Sequence, residues 1–180
     1  MRIIGGTYRG KKLLSPANDR IRPTTDRMRE TLFNILEHGS GRRIKNSTVL
    51  DLFAGSGALG IEAISRGALH VSFIDHDIKL ITQNLDLLKN AENFRCLKQD
   101  LTKFKGLDEK FDIIFIDPPY HKGMIENLLK NLHEFEMISI NGIVVIEYSS
   151  NEKISLPSNF HEIKTRKMGE ATFSILEYLA

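Results

Sequence analysis

Apolar and polar residues follow two rhythms along this chain. Short runs rich in β-branched and aromatic residues, at 48–53, 70–75, 94–98, 111–117 and 142–148, predict strands. Between them, apolar positions recur every three or four residues and predict helices over 58–66, 77–90 and roughly 122–135. Gly67 stops the first helix and Asp77 is a candidate cap for the second. Leu80, Ile81, Asn84, Leu85 and Leu88 form the inner stripe of that second helix. Strands alternating with helices predict an α/β fold, a parallel sheet covered on both faces.

Both ends break the rhythm. Residues 2–14 read as a β-hairpin: Arg2-Ile3-Ile4, a Gly5-Gly6 turn, then a return strand from Tyr8 to Leu14. A polar loop over 15–23 leads to a helix starting near Thr24 or Thr25. Its apolar face is Met28, Thr31, Leu32, Ile35 and Leu36, and His38-Gly39 ends it. Arg27 and Arg29 lie off that stripe and are expected to face outward. Beyond Ser149, about ten residues precede a strand at 161–167, too few for a crossover containing a full helix. Met168-Gly169-Glu170 then turns into 172–179, the expected antiparallel partner.

Composition narrows the class. A chain of 180 residues with 41% hydrophobic content predicts one domain, 1–180, with a sizeable core. No apolar run approaches the ~20 residues of a membrane span. The N-terminus has no signal-peptide core, so a cytoplasmic protein without membrane contact is expected. A single cysteine, Cys96, excludes an intramolecular disulfide and a cysteine-based zinc site. Its place in a predicted strand suits a buried residue better than a reactive thiol.

The net charge of +2 conceals an asymmetry. Residues 1–45 carry eleven Lys/Arg against four Asp/Glu, whereas 46–180 carry fourteen against nineteen. The chain is therefore read as a basic extension, 1–45, on a mildly acidic core, 46–180. Such an arm suits a polyanion, and its arginines suit phosphate. Arg2, Arg9, Lys11, Lys12, Arg22, Arg27 and Arg29 are the candidate contacts to such a polyanion; a merely solvated basic surface is the plainer alternative.

The chemistry-bearing residues cluster at strand ends. Gly55, Gly57 and Gly60 spell G-x-G-x-x-G between the strand at 48–53 and its helix, and Asp75 follows Gly55 by twenty residues. Glycines let backbone approach a ligand, and the acidic residue is placed to accept ribose hydroxyls. This is the mark of a nucleoside cofactor, shared by NAD and S-adenosylmethionine. Asp51 stands four residues before Gly55, where a carboxylate repels a pyrophosphate but attracts an ammonium or sulfonium. Asp100, with Leu101 behind it, is placed for an adenine amino group, and Phe53 borders the loop. Plainer roles exist: helix capping for Asp51, Asp75 and Asp100, and tight turning for the glycines.

Asp117-Pro118-Pro119-Tyr120 ends the strand at 111–117. Neither proline donates a backbone hydrogen bond, and both fix φ. The turn therefore holds a carboxylate, a carbonyl and a ring stiffly at the sheet's carboxyl edge, a set suited to gripping a planar amino group on a nucleobase.

The loop 51–60 together with Asp117-Pro118-Pro119-Tyr120 resembles amino-directed Class I methyltransferases. Met1-Arg2-Ile3-Ile4-Gly5-Gly6 and the stretch from Arg22-Pro23-Thr24-Thr25 through Asn34 narrow the resemblance to the bacterial 16S rRNA guanine-N2 methyltransferases of the RsmD family. That resemblance implies a Rossmann-like seven-stranded, mostly parallel sheet with one antiparallel strand. It implies S-adenosylmethionine as donor, S-adenosylhomocysteine as product and no metal. It also implies a guanine of 16S rRNA in an assembling or assembled small subunit as acceptor, modified by a monomer. Asp75 departs from the Glu more common there, and Met168-Gly169 from an aromatic-Gly pair. The Asp-Pro-Pro-Tyr motif is shared with DNA adenine-N6 methyltransferases, which are the nearest alternative. An NAD-dependent oxidoreductase would leave the Pro-Pro-Tyr turn without a role, and a non-catalytic RNA-binding protein would not need the intact carboxylates.

Overall fold

The inner strands and helices form where the periodicity places them, with ends shifted by a few residues. In the computed structural model, which describes residues 1–15, 26–38, 44–89, 91–119 and 123–179, the order is α1 (Asp26–His38), β1 (Thr48–Leu52), α2 (Ala58–Ser65), β2 (His70–Asp75), α3 (Lys79–Asp86), β3 (Phe94–Lys98), β4 (Phe111–Ile116), α4 (Met124–Glu134), β5 (Ile138–Ser149), β6 (Phe160–Met168) and β7 (Ala171–Tyr178). The seven strands make one sheet, ordered β3-β2-β1-β4-β5-β7-β6. Neighbours from β3 to β5 pair in parallel, while β7 runs antiparallel to both β5 and β6. The short link after Ser149 thus delivers the expected antiparallel hairpin. β5 starts earlier than its apolar run: Ile138 opposes Phe111 and Ile143 opposes Ile113, so the extra residues of 139–142 bulge out.

Strand residues alternate between two apolar layers. Val49, Val71, Phe73, Ile113 and Phe115 meet α1, α2 and α3; Leu50, Leu52, Ile114, Ile116 and Ile146 meet α4. Ile3 and Leu13 of the N-terminal segment enter the first layer, and so do Met28, Leu32, Phe33 and Leu36 of α1. The proposed N-cap residues Thr24 and Thr25, and most of the 15–23 loop, lie outside the described residues. α3 begins two residues after Asp77, whose carboxylate accepts the Lys79 N–H at 3.0 Å. Cys96 is half-buried against the first layer, and burial raises its pKa.

Two expectations fail. Residues 2–14 fold back on themselves, but only Arg2 and Lys12 form a β-bridge. Ile3 and Leu13 N–H reach Lys11 and Met1 carbonyls at 3.0 and 3.1 Å, around a wide turn. A full hairpin ladder does not form because the donors it needs are taken by α2. Ile4 and Gly5 N–H bond to Glu62, and Thr7 and Tyr8 N–H bond to Ser65. Arg29 does not face outward either. It is fully buried, with Nη2 donating to the Arg2 carbonyl at 2.5 Å and to Asp26 at 2.6 Å. The N-terminal segment covers what would otherwise be α1's polar face, so a side chain off the apolar stripe is still enclosed.

Candidate active site

The chain reverses direction across the sheet at β1: β2 and β3 lie on one side, β4 and β5 on the other. Open α/β sheets bind ligands at the carboxyl ends flanking such a switch point. The glycine loop leaves β1 there and the Asp117 turn leaves β4 there. Leu52 opposes Ile116 at the two strand ends, and the Asp117 N–H points to the Leu52 carbonyl at 3.5 Å.

Each glycine has its own reason. Gly55 and Gly57 take positive φ, 55° and 76°, and Gly57 opens α2 in the left-handed conformation. Gly60 is needed for space: a Cβ there would lie 2.3 Å from the Phe73 ring. Phe53, at φ 59°, is a non-glycine residue in the same region, an uncommon state that concentrates at functional sites.

Two carboxylates hold the loop. Asp75 Oδ2 accepts the Gly55 N–H at 2.8 Å, and its Oδ1 accepts the Asp77 N–H at 3.0 Å and lies 2.7 Å from His76 Nδ1. Asp51 Oδ2 accepts the Gly60 N–H at 2.9 Å, within the first turn of α2. Asp51 is 2% exposed. Burial, with the Asp75 charge adding to it, pushes its pKa up to about 7 against the pull of the Gly60 hydrogen bond. The ionised form of Asp51 is therefore disfavoured for want of a neighbouring cation. An ammonium or sulfonium ligand fits that deficit; a pyrophosphate does not.

Asp100 is exposed and caps the short 3₁₀ turn Leu101–Lys103, accepting Thr102 N–H at 3.0 Å and Thr102 hydroxyl at 2.7 Å. Those bonds lower its pKa. Leu101 is buried in the second apolar layer, with Phe53 half-buried beside that layer. In the β4 turn, Asp117 is half-buried, Pro118 buried and Pro119 exposed; Tyr120 lies outside the described residues.

The basic candidates divide. Arg2, Arg9, Lys12 and Arg27 are exposed. Lys11 is half-occupied: its ammonium donates to the Leu87 carbonyl and lies 5.6 Å from the Tyr8 ring. Arg29 is buried and cannot reach a phosphate, and Arg22 lies outside the described residues. Among the described residues, no cluster of three or more His, Cys, Asp or Glu is arranged to hold a metal, and no helix is long and apolar enough to cross a membrane.

The residues that join the arm to the loop were not foreseen. Glu62, 1% exposed, accepts Ile4 and Gly5 N–H and the Arg66 Nε–H, each at 2.8 Å. Arg66 also reaches Glu37 at 2.9 Å and stacks on Phe33. Asn84, fully buried, donates to the Leu14 carbonyl at 3.1 Å and to the Ser56 carbonyl at 2.9 Å, and accepts the Leu14 N–H at 2.7 Å. A signal existed: Asn84 is a polar residue within an apolar stripe, and Glu62 lies amid the apolar residues of α2.

This sheet order and this glycine loop define a Rossmann-like α/β fold. A ribosomal protein L11 methylase structure from Lactobacillus delbrueckii subsp. bulgaricus shares the fold at TM-score 0.63 and 21% identity, over 85% of this chain and 80% of that one. A family model described as Conserved hypothetical protein 95 matches residues 1–177. Ribosomal RNA small subunit methyltransferase D of Haemophilus influenzae is 33% identical, across 98% of this chain and 93% of the relative. The protein of that name from Escherichia coli is 35% identical, across 98% and 89%. The solved Escherichia coli structure yhhF superposes at TM-score 0.86 with 34% identity, over 100% and 98%. The chain belongs to the ribosomal RNA small subunit methyltransferase D family.

Proposed function

We infer that this protein is an S-adenosylmethionine-dependent rRNA methyltransferase, acting on the exocyclic N2 amine of a guanine in 16S rRNA. The observation that carries the reading is the cation-deficient carboxylate pair Asp51/Asp75 beside the glycine loop, one strand from the Asp117-Pro118-Pro119 turn. Membership of the methyltransferase D family supports the acceptor class. The same reading makes the enzyme a cytoplasmic monomer that meets its guanine in an assembled or assembling small subunit.

S-adenosylmethionine, when bound, supplies an electrophilic methyl group. The chain's own residues do the rest. Asp75 is placed for ribose hydroxyls, Asp51 for the cationic end, and Asp100 with Leu101 for the adenine edge. A guanine amine is a weak nucleophile because its lone pair is delocalised into the ring. Asp117 and the Pro118 carbonyl accept its two N–H groups and draw nitrogen towards tetrahedral geometry, so that the lone pair points into the cleft. Positioning contributes most of the acceleration, and the fixed acceptors stabilise positive charge growing on nitrogen. Asp117 then takes the proton. Tyr120 follows the prolines and serves as the stacking platform for an unstacked base. Arg2, Arg9, Lys12 and Arg27 meet rRNA phosphates.

The test offers labelled S-adenosylmethionine with assembled small subunits, naked 16S rRNA and duplex DNA, and maps the modified atom. Label on guanine N2 of the rRNA is the expected result. Label on adenine N6 of DNA, or none, overturns the reading.

A further inference from the structure

Between the N-terminal segment and α1 lies a groove of about 460 Å³, bordered by Arg2, Arg9, Asp26, Arg27 and Glu30. Its volume falls in the range of about 300–1,000 Å³ usual for small-ligand clefts. A groove of this size suits one nucleotide rather than a stretch of duplex. The charges around it are unequal in their commitments. Asp26 is neutralised by Arg29 at 2.6 Å and by Arg2 at 3.4 Å. Arg9, Arg27 and Glu30 have no ion pair among the described residues. Arg27 and Glu30 are i,i+3 neighbours on α1, a spacing at which opposite charges can meet. Two guanidinium groups and one carboxylate without an ion pair among the described residues therefore border a single cleft.

The frame of this cleft is built. Buried Arg29 ties Asp26 on α1 to the Arg2 carbonyl on the arm, and its Nε and Nη1 have no hydrogen-bond partner among the described residues. Glu62 fixes the arm at Ile4, itself a lining residue of the groove, and at Gly5. The walls are thus set before any ligand arrives, which removes part of the ordering cost of binding.

The chemistry selects a ligand. Guanidinium groups take phosphate oxygens. A carboxylate is acceptor-only and needs donors. Among the four RNA bases, only guanine presents two adjacent N–H donors on its pairing edge, N1–H and N2–H. Adenine and cytosine place an acceptor beside their amine, and uracil flanks its lone N–H with two carbonyls.

We propose that this groove is a second nucleotide pocket, seating one unpaired guanine of the RNA with its N1–H/N2–H edge on Glu30 and its phosphate on Arg9 and Arg27. The proposal rests on the RNA reading above but concerns a position other than the methylated base. It makes Glu30 a specificity-determining residue outside the catalytic turn.

The experiment titrates the full-length, isotope-labelled protein with guanosine, inosine and uridine monophosphates and with inorganic phosphate, following backbone amides by NMR. The expected result is a guanosine-specific shift at Gly10, Arg27 and Glu30, weaker with inosine, which lacks the N2 amine. It should be lost in Glu30→Gln and reduced in Arg9→Gln. In turnover with the ribosomal acceptor, Glu30→Gln should raise the RNA KM by about 10–100-fold, the worth of one bidentate base contact, with kcat and cofactor affinity unchanged. Guanosine shifts confined to Leu52 and Asp117 would mean that only the acceptor pocket binds the base, and would overturn the proposal. Equal shifts with uridine monophosphate or phosphate alone, or an unaltered Glu30→Gln titration, would also overturn it. The titration needs no methyl transfer, so its failure is distinct from failure of the proposed reaction.

Discussion

Replacing Glu62 with glutamine isolates what holds the basic arm to α2. Glu62 is enclosed, with Oε2 accepting Ile4 N–H and Oε1 accepting Gly5 N–H and Arg66 Nε–H. Glutamine keeps the shape but turns one acceptor into an NH2 group, which then faces a donor. Breaking a buried ion pair by removing one partner costs about 3–5 kcal/mol. Arg66 keeps its second partner, Glu37, at 2.9 Å, so its charge is not orphaned. The lower end therefore applies, about 3 kcal/mol. At about 2–4 °C per kcal/mol for a chain of this size, Tm should fall by about 6–12 °C. Thermal melting followed by circular dichroism gives the global figure, and amide hydrogen exchange at Ile4 and Gly5 gives the local one. Glu37→Gln is the control; its partly exposed pairing predicts a cost of about 1 kcal/mol or less. A Glu62→Gln melt within about 2 °C of the parent, with Ile4 and Gly5 still protected, would refute the argument.

Asp117→Ala should lose at least about 100-fold in kcat while binding cofactor normally, measured by single-turnover transfer and calorimetry; near-parent turnover would remove the catalytic turn from the mechanism. Asp51 ties pH to both folding and binding. Its pKa rises from 3.8 in the unfolded chain to about 7 in the folded one, so the folded state holds the extra proton in between. Stability should fall as pH climbs from about 4 to about 7. Asp51→Asn should flatten that slope in urea melts, and an unchanged slope would dismiss the assignment. S-adenosylmethionine, by adding positive charge beside Asp51, should release a proton on binding near pH 6.5 (about half a unit below that pKa), seen as buffer-dependent calorimetric heat; a buffer-independent heat would contradict it. Replacing Arg9, Lys12 and Arg27 together by Gln should shallow the log–log salt dependence of RNA binding by about 2, at ~0.7 per lost phosphate contact, with an unchanged slope refuting contact.

The sequence was most legible where one physical rule acted alone. Strand and helix positions followed from period, because both sheet faces are buried and each apolar run must form an element to be enclosed. The antiparallel end was readable from length, since the link after Ser149 cannot hold a crossover helix. Asp51 and the glycines could be placed because the β1–α2 turn brings residues close in sequence together in space, and Asp75 because it ends β2, the strand paired beside β1. What failed depended on contacts between distant segments. Arg29 looked solvent-facing on α1's own periodicity, and only the arm's passage across it buries the side chain. The hairpin looked self-sufficient, yet Glu62 and Ser65, more than fifty residues away, take its donors. Asp100 illustrates a third case: its capping bonds to Thr102 are local and visible in sequence.

The anchoring has a consequence for how the two halves of the chain cooperate. A basic arm tethered loosely would have to be ordered by its polyanion, losing about 1–2 kcal/mol of backbone freedom per residue fixed. Here the described part of the arm is already fixed. Ile4, Gly5, Thr7 and Tyr8 bond to α2, and Leu14 bonds to Asn84, which also holds the Ser56 carbonyl of the glycine loop. Even the spacing at Gly6 enforces this: a Cβ there would lie 1.8 Å from the Ser65 carbonyl, so the close approach admits no side chain. The positive surface therefore stands at a set distance from the Asp51/Asp75 carboxylates, with α2 as the spacer between them. Buried hydrogen bonds hold the two apart: among the described residues Arg9 and Arg27 have no ion pair, while Asp51 and Asp75 each accept a backbone N–H of the glycine segment.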